Sequence, residues 1–220
     1  MLAQVKSGFS MGGRSTPIPA EYFGSGASNE SANVSMPGSI ASGDLGVLFD
    51  FAANSDSTVP TSVYPSGWTA IGASENSTFA TYGFRQNMSY KVLDGTETTL
   101  TGMVGGLASN KLVLVFRKLV PALTWGTPAG VVAGVSFLGP THPQTITVGT
   151  APLIVIGMVM NNNNLVMTPA QTATISGGVG AFTRARAGYI IYGAGAVNND
   201  VDIDTGDGYI GIGGYYIPLT

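Results

Sequence analysis

The chain has 220 residues, of which 44% are apolar and only 10% charged, with 32 glycines, one histidine, no cysteine and a formal net charge of −3. That length suits one large all-β domain or two small ones, and is enough to bury roughly 70% of the unfolded surface. Charge is far below the usual share of about 25% and glycine is about twice its ordinary share of 7%, so the surface must be built from Ser, Thr, Asn and Gly. Disulfides, thiolate catalysis and cysteine-ligated metals are excluded, and no basic stripe offers itself to nucleic acid.

Residues 1–28 read as an extended arm. Gly12, Gly13, Pro17, Pro19, Gly24 and Gly26 interrupt any period, while Phe9, Tyr22 and Phe23 supply apolar groups to lay on a neighbouring subunit. Residues 29–220 read as one β domain. The segment 31–37 alternates weakly and ends in the turn Pro37-Gly38. Ser42-Gly43-Asp44 opens a strand, LGVLFDFA, with Leu45, Val47, Phe49 and Phe51 on the core face and Gly46, Leu48 and Asp50 on a half-polar one. A loop rich in turn formers runs to Gly67, and Trp68 plugs the core at the next strand entrance. One strand is predicted over 78–86, and Asp94-Gly95 reads as a hairpin turn between two β-rich runs. KLVLVFRKLV (111–120) is the strongest strand, closed by Pro121.

In the second half, strands are predicted over 130–138, 144–150, 152–160, 172–177, 185–195 and 210–219, with polar tips at 161–164 and 195–200. LGVLFDFAANSDSTVP and LIVIGMVMNNNNLVMTP look distantly alike, without a measurable period. No window carries helical periodicity with caps. The fold class is therefore all-β: an antiparallel β-sandwich of jelly-roll type with an extended N-terminal arm.

The inventory for catalysis is thin, and the chain reads as no enzyme. His142 lies between Thr141 and Pro143 in a turn, whereas a triad needs a histidine held between nucleophile and carboxylate. GDGYIG (206–211) matches a dinucleotide fingerprint only as a string, because no βαβ crossover can follow it. The acidic run DVDIDTGDG places Asp200, Asp202 and Asp204 on one strand face, with Asp207 in the next turn. Oxygen-rich clusters suit calcium, the one cofactor the sequence admits, although Thr205 and Gly211 stand where an EF-hand loop needs Gly and Glu. The bland alternative is a solvated strand face with Val201 and Ile203 turned to the core. Tyr189, Tyr192 and Tyr209 could line a sugar platform, or close a sandwich. Trp125, in LTWGTP, is a candidate interface residue beside Phe9, Tyr22 and Phe23.

The N-terminus lacks the apolar stretch of a signal peptide. The longest apolar run, 151–160, is about half of what spans a bilayer. No export signal and no membrane insertion are expected.

Four blocks in the first half, SGDLGVLFDFA, PSGWTAIG, MSYKVLDGTE and KLVLVFR, resemble in order and spacing a loose family of accessory structural proteins of tailed-bacteriophage virions. The matching features are Pro37-Gly38, Gly43-Asp44-Leu45, Gly67-Trp68-Thr69, Tyr90 to Glu97, and Phe116-Arg117, covering about residues 34–118. The resemblance implies a β-sandwich protomer, assembled in the host cytoplasm into the virion, that pairs with itself (a trimer is favoured) and with other virion proteins. A tail appendage or fibre that contacts a host surface glycan is the leading expectation. Capsid decoration and a calcium-assisted carbohydrate-binding module are the alternatives.

Overall fold

Runs of Val, Ile, Leu, Phe and Tyr, punctuated by Gly, Pro, Asn and Asp, leave the chain few choices but short strands and turns. The computed structural model describes residues 17–29, 31–79, 81–103, 108–135, 144–160, 165–180, 183–196, 199–204 and 211–220. In the first half the strands are β1 (Ala20–Asn29), β2 (Val34–Ser35), β3 (Leu45–Asn54), β4 (Thr69–Ala70), β5 (Glu75–Phe79), β6 (Tyr82–Val92), β7 (Thr99–Leu100) and β8 (Ala108–Lys118). In the second they are β9 (Ala129–Val135), β10 (Gln144–Ile146), β11 (Leu153–Met160), β12 (Val166–Thr168), β13 (Ala173–Gly180), β14 (Thr183–Tyr192), β15 (Val201–Asp204) and β16 (Gly211–Pro218). Every pairing among them is antiparallel.

The all-β sandwich is present, but each large sheet is drawn from one half of the chain. The first runs β1-β8-β3-β6, with β4 and β5 both on the far side of β6; the second runs β9-β16-β11-β14-β13. The two orders are the same when β1, β3, β5, β6 and β8 are matched to β9, β11, β13, β14 and β16. The small ladders follow suit: β2 pairs β7, and β10 pairs β15, which also pairs β12. Even a bulge recurs, at Tyr22/Gly24 where β1 meets β8 and at Gly214/Tyr216 where β16 meets β9. The chain thus repeats one topological unit in tandem. A jelly roll, which shares its strands between two sheets, does not have this connectivity. The two segments that look faintly alike, β3 and β11, are each the central strand of their sheet.

The two sheets pack face to face. Leu45, Val47, Phe49 and Phe51 of β3, Leu112, Leu114 and Phe116 of β8, Ile154, Ile156 and Met158 of β11, and Tyr215 and Ile217 of β16 form one core with contributions from both units. The lateral contacts are reciprocal, β1 against β13 and β5 against β9, as across the interface of a homodimer. Close approach depends on glycine: a Cβ on Gly211 would fall 2.2 Å from Gln86 Oε1, where Gln86 Nε2 donates to the Ile212 carbonyl at 2.8 Å.

The outer faces are covered too. Val34 of β2 and Leu100 of β7 lie with Trp68 over Leu48, Val113 and Val115. Ile146 of β10, Met167 of β12, and Val201 and Ile203 of β15 lie over Leu153, Val155, Val159 and Ile212.

Three expectations change. Residues 20–28 are no arm but the body of β1, registered along β8 from Ala20↔Lys118 to Asn29↔Asn110; residues 1–16, including Phe9, lie outside the described residues. The predicted strand 78–86 is a hairpin, because Phe79 pairs with Tyr82 and the chain reverses between β5 and β6. Asp94-Gly95 does turn the chain, with Gly95 at φ 91°, but β7 beyond it pairs with β2 and not back onto β6.

Because the central core belongs to both units, neither half can bury its inner face alone. Expressed as two chains divided after the exposed Pro121, the halves should co-purify as a one-to-one complex, and each expressed singly should aggregate. Size-exclusion chromatography with light scattering checks this; a soluble, folded single half would contradict it.

Candidate functional site

The four sequence blocks converge at one end of the first sheet, where they form a clasp. Asp44 precedes β3 in a turn and accepts from the Ala41 amide at 2.7 Å. Its carboxylate takes both Nε (2.9 Å) and Nη2 (2.7 Å) of Arg117, from the end of β8, and Nη2 also donates to the Ser39 carbonyl at 3.0 Å. A bidentate guanidinium–carboxylate pair is directional as well as attractive. The guanidinium also lies 3.9 Å from the centre of the Phe23 ring, a cation–π contact.

Beside it, Lys91 at the end of β6 pairs with Glu97 at 2.7 Å and with Asp94 at 3.8 Å. Glu97 accepts from the Asp94 and Gly95 amides, and Asp94 Oδ1 accepts from the Thr96 amide and hydroxyl. Trp68 closes the clasp over Gly46, where a Cβ would come within 2.7 Å of its ring. The shared blocks therefore lock turns and strand ends.

A second constellation lies on the outer face of the same sheet. Asp50, in the middle strand β3, pairs across to Asn87 of β6 and to Lys111 of β8. Arg85 Nη2 reaches Asp50 Oδ2 at 2.5 Å and Lys111 Nζ reaches Oδ1 at 3.4 Å; relative exposures are 0% for both cations and 2% for the carboxylate. The segment after β3 covers them. Arg85 Nη1 donates to the Thr61 carbonyl, and the Ser62 and Ser74 hydroxyls donate to Asn87 Oδ1. Loop 54–66 thus lies across the sheet with its 55–59 stretch exposed. Burial raises the Asp50 pKa against the pull of Arg85 and Lys111, and burial lowers that of Lys111 against the pull of Asp50.

The residues singled out from the sequence are mostly dispersed. Tyr189 and Tyr192 sit on opposite faces of β14. Tyr189 is buried in the central core, 5.5 Å from the Tyr22 ring and 5.4 Å from that of Phe116, while Tyr192 packs on the outer cluster. They cannot share one sugar platform, and Tyr209 lies outside the described residues. Tyr22 and Phe23 contribute to inner and outer clusters of their own chain. Trp125 donates its Nε1 to the Gly43 carbonyl at 2.8 Å, so it is an internal strut of the clasp, not a free interface residue.

Val201 and Ile203 do face the core. Asp202 accepts from the Thr145 hydroxyl and Asp200 from the Val148 amide, tying β15 to the β10 segment. Asp207 and His142 lie outside the described residues, among which no group of three or more His, Asp and Glu is placed to hold a metal ion. The buried triad Asp50–Arg85–Lys111 was missed because its members are 35 and 26 residues apart in sequence; the signal available was one acid and one base inside otherwise apolar strands.

No protein-family model matches the chain, and neither a characterised protein nor a solved structure matches it.

Two outcomes follow from the clasp. Arg117→Ala should cost about 2 kcal/mol by stranding the nearly buried Asp44 carboxylate, a fall of roughly 4–8 °C in Tm for a chain of this size. Arg117→Lys should recover only part, because an ammonium cannot bridge both oxygens. For Glu97, burial raises the pKa, but the bonds from Lys91 and the turn amides outweigh it and leave the carboxyl below its ordinary value. Its contribution is complete above the unfolded pKa of about 4.3 and vanishes as pH falls through the folded value. Wild type and Glu97→Gln should therefore differ in Tm at pH 7 and converge in acid; a constant gap across that range would contradict the assignment.

Proposed function

We propose that the chain is a non-enzymatic structural subunit of a tailed-phage virion, a tail-associated appendage or fibre protein that works by assembly. The supporting observation is where the charge goes. Arg85, Lys91, Lys111, Arg117 and Lys118 are each bonded within the chain, Lys118 to the Leu123 carbonyl at 2.7 Å. The motif residues that carry the family resemblance are committed to the clasp, and the rest of the skin is largely uncharged and polar. Such a surface solvates weakly and suits lateral contact with copies of itself or with other virion proteins. A tandem pair of units offers two related surfaces per chain, and affinity for any target would come from repeated copies. Decoration of the head would use the same properties. The carbohydrate-binding alternative loses its proposed platform, since Tyr189 and Tyr192 do not meet.

The test is solution mass by light scattering for the full chain and for a variant beginning at Pro17, which preserves β1. A trimer or larger assembly of the full chain supports the reading, and its loss in the variant would assign assembly to residues 1–16. A full-length chain that stays monomeric at high concentration would overturn self-assembly as its role.

A further inference from the structure

The Asp50–Lys111 pair has the placement of two groups about to condense. They are directly opposed residues of neighbouring antiparallel strands, both buried, with Nζ 3.4 Å from Oδ1. Asp50 Oδ1 faces Lys111 Nζ, whereas Oδ2 is held by Arg85 at 2.5 Å. Arg85 is itself anchored on its other side by the Thr61 carbonyl, so its guanidinium is fixed over one oxygen and leaves the other to the amine. We infer that Lys111 and Asp50 form an intramolecular isopeptide bond, an amide between Nζ and Cγ that joins β3 to β8.

The chemistry closes within the cluster. Removal from water disfavours the charged forms of both partners, so a proton passes from the Lys111 ammonium to Asp50 Oδ1 and yields a neutral amine beside a neutral acid. Burial moves both groups in that direction, Asp50 up and Lys111 down. Nζ, held 3.4 Å from Oδ1, then attacks Cγ, a placement that replaces a bimolecular encounter. The negative charge of the tetrahedral intermediate collects on Oδ2, against Arg85 Nη2, an oxyanion-stabilising position. Oδ1 leaves as water, taking up the protons that Nζ gives up. From the neutral pair, one N–H and one C–O bond are lost, one C–N and one O–H bond form, and nothing is oxidised or reduced. The pair is neutral overall before and after, so the charge on Arg85 is met no worse in the product, where Oδ2 remains its acceptor as an amide oxygen. The inference stands independently of the virion reading, because it concerns one chain and no partner.

The experiment is the intact mass of the purified full chain, denatured before measurement, followed by tryptic mapping. The expected mass is one water below that of the sequence, with fragment 15–85 joined to fragment 92–117 and no cleavage after Lys111. Lys111→Arg and Asp50→Ala should each restore the full sequence mass. A wild-type chain at full sequence mass overturns the inference. So does a deficit of one ammonia, which would make Asn87 the acceptor. A missing water that maps to Asp94-Gly95 or Asp207-Gly208 and is regained in mild alkali also overturns it, because that is a backbone succinimide.

Discussion

The contact between the inner faces of β3 and β11, with their flanking strands, is the constraint on which everything else rests. Each unit is one large sheet with a small ladder over its outer face, so nothing within the unit covers its inner face. The inner face of the first offers Phe49 and Phe51; that of the second offers Ile154, Ile156 and Tyr215, with the Phe49 and Tyr215 rings 6.2 Å apart. At about 25 cal/mol per Å² of apolar surface, this shared core is the dominant favourable term of the fold. It also explains the glycines of β16. Side chains at Gly211 and Gly213 would meet Gln86 and Met88 and hold the sheets apart.

With the inner faces committed, the two units diverge on their outer faces. In the second, every outward residue of β11 is apolar or glycine, and a three-stranded ladder covers them. In the first, a two-stranded ladder covers only Leu48 and its neighbours, and the rest of the face carries Asp50, Arg85, Asn87 and Lys111 under a loop. Apolar side chains of similar volume often serve as well as a buried ion cluster. The second sheet carries Arg186 on the outer face of β14, in register with Val159, but every buried charged side chain among the described residues lies in the first unit.

How much of this was legible in the sequence depends on range. Strand existence was, because residue pattern is a local property: β3, β8, β11 and β16 all lie on apolar runs bounded by Gly, Pro, Asn or Asp, and the inner face of β3 was read residue by residue. Whether a face is covered was not. Gly46, Leu48 and Asp50 alternate as a half-exposed face would, yet all are buried, because Trp68, Leu93 and the loop after β3 fold back over that face. The clasp spans 73 residues from Asp44 to Arg117, so its two ends looked like a turn residue and a strand terminator. The tyrosines failed in another way. Positions three apart are neighbours on a helix but opposite on a strand, and Tyr189 with Tyr192 follow the second rule. The repeat was nearly invisible, because it lies in strand order and bulge position while the side chains differ.

Clasp and triad together tie two neighbouring strands of the first unit to each other. Strands β3 and β8 lie side by side along nearly their whole length, tied at one end by Asp44 and Arg117 and near the middle by Asp50 and Lys111. A force applied along β1, the edge strand next to β8, is passed to β8 and then to β3 through those ties before it reaches the apolar core. Hydrophobic packing resists separation of the two sheets but is non-directional, and it resists sliding of one strand past its neighbour poorly. Directional ion pairs, or a covalent bond between the same side chains, resist that sliding where packing does not. The second unit, held by a continuous apolar face and a broader covering ladder, lacks such ties along β11 and β16 among its described residues. The directional ties therefore lie in the N-terminal unit, on the two strands next to its edge strand β1.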